Sequence, residues 1–104
     1  MVKLDRMTKL MNCINRFAVG TIDPMDVVPE LVQELQQMRE ELADMIYTLP
    51  NATERTVMIL AYLKGFNKEA IATGGECSQR MVYNYLKSAK KHLQEIYPDR
   101  ITTS

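Results

Sequence analysis

The chain has 104 residues, enough for one hydrophobic core, and its composition, 46% hydrophobic and 25% charged, is that of an ordinary globular domain. Thirteen basic and thirteen acidic side chains cancel, so the overall balance argues for neither a nucleic-acid partner nor a membrane surface, and any charge signal must be local. Apolar runs are short, and Lys3, Asp5, Arg6, Lys9 and Arg16 interrupt the first twenty residues. That excludes a transmembrane span and a secretory segment, and a cytoplasmic protein is expected. Cys13 and Cys77 lie far apart beside a lone histidine, so neither a metal site, a cofactor site nor a disulfide framework is expected. By segment, the charge is +3 over residues 1–20, −6 over 21–50 and +3 over 51–104. Residues 78–93 hold Arg80, Lys87, Lys90 and Lys91 and no carboxylate, which gives the neutral chain a basic pole.

Glycines and prolines fall at intervals that suit helices, and no stretch alternates long enough to make a strand. The expectation is an all-α fold. Leu4, Met7, Met11, Ile14 and Ala18, widened by Leu10 and Phe17, form the stripe of a first amphipathic helix ending near Gly20. A turn at 21–24 follows, with Asp23 or Asp26 as a cap and Pro29 in the first turn of the next helix, where its missing donor costs little. Val28, Leu31, Leu35, Met38, Leu42, Met45 and Leu49 then step 3, 4, 3, 4, 3, 4 along the longest helix, and Glu30, Glu34, Glu41 and Asp44 lie on another stripe. Such a seam is satisfied either by the first helix folding back as a hairpin or by a second copy of the chain in a homodimer. Pro50 ends this helix.

Asn51 or Thr53 caps a third helix, and Glu54 stands at capping-box spacing from Asn51. Val57, Leu60 and Ala61 line one side and Met58, Ile59, Tyr62 and Leu63 the other, so burial on more than one face is expected. Gly65 supplies a left-handed terminus, Asn67 caps a short fourth helix, and the Gly74-Gly75-Glu76-Cys77 stretch forms a tight turn. Ser78 opens a fifth helix that runs to about Tyr97. The domain organisation read from this order is a helical hairpin over 1–49, a three-helix unit over 50–97 and a flexible tail over 98–104.

On a helical wheel Val82, Tyr85, Leu86, Ala89, Leu93 and Ile96 share the core face of the fifth helix. The opposite face collects Arg80, Asn84, Lys87 and Lys91, with Tyr83 and Gln94 beside them. Arg forks onto guanine, Asn and Gln onto adenine, and Lys onto phosphate, so this inventory suits a reader of the DNA major groove; a solvated surface helix is the plain alternative. The short helix and glycine turn ahead of it favour the first reading, because a helix-turn-helix needs small and apolar residues where its helices cross. Ala72 and Val82 stand at those places. His92 has no ligand at metal spacing and is expected to be solvated. Without a phosphate loop or a nucleophile with its base, no enzyme activity is expected.

The stretches 49–55, 63–72, 77–82 and 89–93 together resemble the region-four domain of bacterial sigma factors. They are closer still to the small sigma-like late transcription activators of phages of Gram-positive bacteria, the ArpU and RinA type. A Glu34-Leu35-Gln36-Gln37-Met38-Arg39 run precedes them, as it does in that family. The resemblance covers about residues 30–97. It implies promoter reading by Gln79, Arg80, Tyr83 and Asn84, with Ser78, Lys87 and Lys91 nearer phosphates, and double-stranded DNA and host RNA polymerase as partners. The family usually has Leu-Gly in the turn, where this chain has Gly75-Glu76. No counterpart of sigma region two fits into the first fifty residues, so a complete sigma factor is not expected. The alternative is an interaction module that binds polymerase or a sigma factor without reading DNA.

Overall fold

The computed structural model describes residues 1–17 and 29–103. The turn and caps expected around Asp23 and Asp26, with Ala18, Gly20 and Val28, lie outside the described residues. Within them the protein is all-α: α1 (Leu4–Phe17), α2 (Pro29–Ile46), α3 (Ala52–Met58, continued by a wider turn over Ile59–Leu63), α4 (Lys68–Gly74) and α5 (Gln79–Ile96). Two-residue strands β1 (Val2–Lys3) and β2 (Ile101–Thr102) pair in parallel.

The amphipathic spacing of α1 and α2 sets their packing. Leu4, Met7, Leu10 and Ile14 of α1 are buried in the same core as Leu35, Met38, Leu42 and Met45 of α2. The described seam positions from Leu35 to Leu49 are thus packed within the chain, and Leu31 is partly buried. Pro29 opens α2, where its fixed φ suits a helix start. Arg6 donates from Nε and Nη2 to the two carboxylate oxygens of Glu34, both at 3.0 Å, and joins the two helices.

Leu49 and Pro50 fall in the turn between α2 and α3, yet the buried residues on both sides of it belong to one cluster. Asn51 caps α3 by accepting from the amides of Thr53 and Glu54. The second half of the expected capping box is not formed in that way, because the Glu54 carboxylate turns inward. Val57, Met58 and Tyr62 are buried, whereas Ile59, Leu60, Ala61 and Leu63 are only partly so. Both sides of α3 thus carry buried residues, as expected, and each also keeps half-open positions. Where α3 widens, the Lys64 amide reaches back to the Ile59 carbonyl, and Arg39 of α2 donates from Nε to the Tyr62 carbonyl at 2.9 Å. Burial lowers the pKa of the Arg39 guanidinium from its ordinary value. Gly65, at φ +76°, then takes the left-handed conformation expected of it.

Residues after Pro98 depart from the flexible tail the sequence suggested. Ile101 is fully buried, the Val2 amide donates to the Arg100 carbonyl at 2.9 Å, and Arg100 stands 3.6 Å from Glu41. Tyr97 OH and Thr48 Oγ1 meet at 2.7 Å. A single isoleucine has no periodicity to announce it; its partner, Val2, lies at the other end of the sequence.

Candidate nucleic-acid interface

The site is built on α4, the turn after it and α5. Asn67 opens α4 by accepting from the Ala70 amide at 2.8 Å, and Ile71 and Ala72 bury its inner side. The helix ends in a paired-bond terminus: the Cys77 amide donates to the Ala72 carbonyl at 3.0 Å and the Glu76 amide to the Thr73 carbonyl at 3.4 Å. The residue between those bonds must be left-handed, and it is Glu76, at φ +53°. The glycines precede it; a carboxylate-bearing residue holds the position where glycine costs least. Ser78 then caps α5, its Oγ accepting from the Met81 amide at 3.1 Å.

The inner face of α5 buries Val82, Leu86, Ala89 and Leu93 against α3 and α4. Ala72 and Val82 are both buried at the crossing, as their spacing suggested. Tyr85 is half-buried, and Ile96, assigned to this face by the wheel, is 47% exposed. Midway along, Glu54 is only 2% exposed and accepts from Ser88 Oγ at 2.9 Å, and lies 2.6 and 3.0 Å from His92 Nδ1. His92, expected to be solvated, keeps 43% of its side chain exposed, while its Nδ1 is tied to a buried carboxylate. Its partner is 38 residues away in sequence, beyond any local spacing rule. Ser88 and His92 of α5 both meet this one carboxylate, so the cluster ties α5 to α3.

The outer face carries the residues singled out from the sequence. Ser78, Gln79, Arg80, Tyr83, Asn84, Lys87 and Lys91 are all exposed. Among the described residues, the ion pairs engage Arg6, Arg100 and the chain's amino group, and leave Arg80, Lys87 and Lys91 without a carboxylate. The structure separates the stripe into two parts. Tyr83, Lys87 and Lys91 border a groove of about 820 Å³ between α5 and α1, while Gln79, Arg80 and Asn84 do not.

Two further cations join that groove. The Lys68 ammonium of α4 lies 5.3 Å from the Tyr83 ring centre and that of Lys90 lies 5.7 Å from the Tyr62 ring centre. Neither was singled out for a site. Lys90 was visible in the basic run of residues 78–93, but Lys68 reaches the site only by tertiary packing. On the other side of the α4–α5 pair a second hollow, about 750 Å³, is mostly apolar and lined by Leu60, Phe66, Ile71, Met81 and Val82 among others.

No helix among the described residues is long and apolar enough to cross a membrane. No family model, curated protein or solved structure matches the chain; the reading of this surface rests on its own residues.

Proposed function

We propose that the protein is a DNA-binding transcription regulator that uses α4 and α5 as a helix-turn-helix. Its place would be among the sigma region-four-like activators of late phage genes, acting in the bacterial cytoplasm. The observation that carries the reading is the outer face of α5, where amides and unpaired cations follow a capped, exposed first turn. In this role α4 crosses the backbone and α5 enters the major groove, with Gln79, Arg80, Tyr83 and Asn84 at base edges and Ser78, Lys87 and Lys91 toward phosphates. Selection from a random duplex pool, followed by anisotropy titration of the recovered site, tests it. The expected result is a recovered sequence bound in preference to random duplex; a pool that shows no enrichment overturns the reading.

A second reading, a protein-interaction module acting on RNA polymerase or a sigma factor, draws on the apolar hollow. Phe66 and Met81 line it and are 51% and 45% exposed. Capture of polymerase without any duplex binding would favour that reading.

A further inference from the structure

The groove between α1 and α5 has a chemistry that the reading of α5 uses only in part, through Tyr83, Lys87 and Lys91. Four lysines, Lys68, Lys87, Lys90 and Lys91, line it against one carboxylate, Asp5. Two of their ammonium groups stand over tyrosine rings, an arrangement that holds a cation in place without neutralising it. The facing wall, from α1, adds the neutral amides of Asn12 and Asn15. Lysine, asparagine and tyrosine side chains in this combination suit phosphate and sugar contacts.

Position along α5 identifies the polyanion. Arg80 and Lys91 are eleven residues apart, about 16 Å along a helix axis, while the major groove of B-form DNA is only about 12 Å wide. A helix that enters across the groove by its N-terminal end and places Arg80 at a base edge carries Lys91 past the edge of the groove. Lys87 and Lys91 also border the α1–α5 groove, so the two surfaces are continuous.

We infer that the α1–α5 groove holds the sugar–phosphate backbone flanking the site that α5 reads, and that α1 is a second wall of the DNA interface. This rests on the proposed major-groove role of α5 and extends it to the N-terminal helix.

The test compares the selected duplex trimmed to its recovered site with the same duplex extended by ten base pairs on each side, each titrated at several salt concentrations. Wild-type protein should bind the longer duplex with a log–log salt slope steeper by about 2, since each neutralised phosphate adds about 0.9. Lys90→Gln, which keeps the aliphatic stem over Tyr62, and Asn15→Ala should weaken binding to the longer duplex only. Lys90→Gln should also remove about 1 from its slope. Arg80→Ala should weaken both duplexes alike and leave the gain from length intact. Equal slopes on the two duplexes, with Lys90→Gln and Asn15→Ala neutral on both, overturn the inference while α5 keeps its role. Lys90-dependent binding of ATP without any effect of duplex length would also overturn it, in favour of a free-nucleotide site. A selection that recovers no duplex overturns both.

Discussion

In the α1–α2 hairpin Arg6 forks onto Glu34, Arg39 donates to the Tyr62 carbonyl and Glu41 meets Arg100, while the apolar seam is closed by the chain itself. On α5 the buried side is equally complete, with Glu54 holding Ser88 and His92. Its outer side is not, for Arg80, Lys87 and Lys91 face outward with no carboxylate among the described residues within ion-pair distance. A side chain whose charge is answered inside the fold is explained by the fold. Cations left unanswered on one face of one helix, next to a groove bearing two more, are the ones the proposed reading gives to DNA. The same contrast bears on the acidic stripe of α2. Glu34 and Glu41 are engaged within the chain, which leaves exposed Glu30 and Asp44 of that set.

The largest effect should come from the hairpin seam. Leu42 is fully buried, and Leu42→Ala should cost about 2–5 kcal/mol in chemical denaturation. Because both halves share one core, amide exchange should report the same loss at Leu10 in α1 and at Val82 in α5. A loss confined to α1 and α2 would divide what is here treated as a single cooperative unit.

Next in size is the inner side of α5. Glu54→Ala leaves Ser88 and His92 without their acceptor and should cost about 1–3 kcal/mol. Duplex binding should weaken only as far as α5 loses its seat on α3, so the effect should shrink at temperatures well below the melting transition. Undiminished loss of binding in a fully folded variant would place Glu54 in the interface rather than beneath it.

The turn offers a gain instead of a loss. Glu76 holds a left-handed conformation that costs a non-glycine residue about 1–2 kcal/mol, and Glu76→Gly relieves it at the expense of a more flexible unfolded chain. A net stabilisation of about 0.5 kcal/mol is expected in thermal denaturation. Destabilisation would mean that the Glu76 side chain contributes a contact the turn depends on.

Smallest is the pair that joins α1 to α2. The hydrogen bond from Arg6 holds the Glu34 pKa below its ordinary value, and Glu34 raises that of Arg6. A depressed carboxylate stabilises the fold fully above its unfolded-state pKa, and that contribution is lost as pH falls through the lower, folded value. Wild type and Arg6→Ala should therefore differ slightly at neutral pH, converge in acid and converge again in molar salt, because the pair is exposed. A difference that persists in acid would assign Arg6 a packing role.

What could be read from the sequence follows from distance along the chain. Asn51, Asn67 and Ser78 act on amides two or three residues ahead, and the α2 seam repeats along one helix, so both are local signals. Glu54 with His92, Val2 with Ile101, and Lys68 with Tyr83 meet only through the tertiary fold. Glu76 escaped for another reason: glycines mark a turn's neighbourhood, but the left-handed residue is fixed by which carbonyls the last helical amides reach. The outer stripe of α5 was legible because it is periodic; its junction with α1 depends on how the hairpin lies across the three-helix unit.

The central claim is that the outer face of α5 is a DNA-reading surface, and a pair of substitutions compared on one selected duplex and on random duplexes tests it most directly. Arg80→Ala should lose about 1–3 kcal/mol on the selected site and flatten preference there, while Lys87→Ala should weaken every duplex alike and reduce the salt slope by about 1. Binding that is indifferent to both substitutions, on selected and random duplexes alike, would contradict the account.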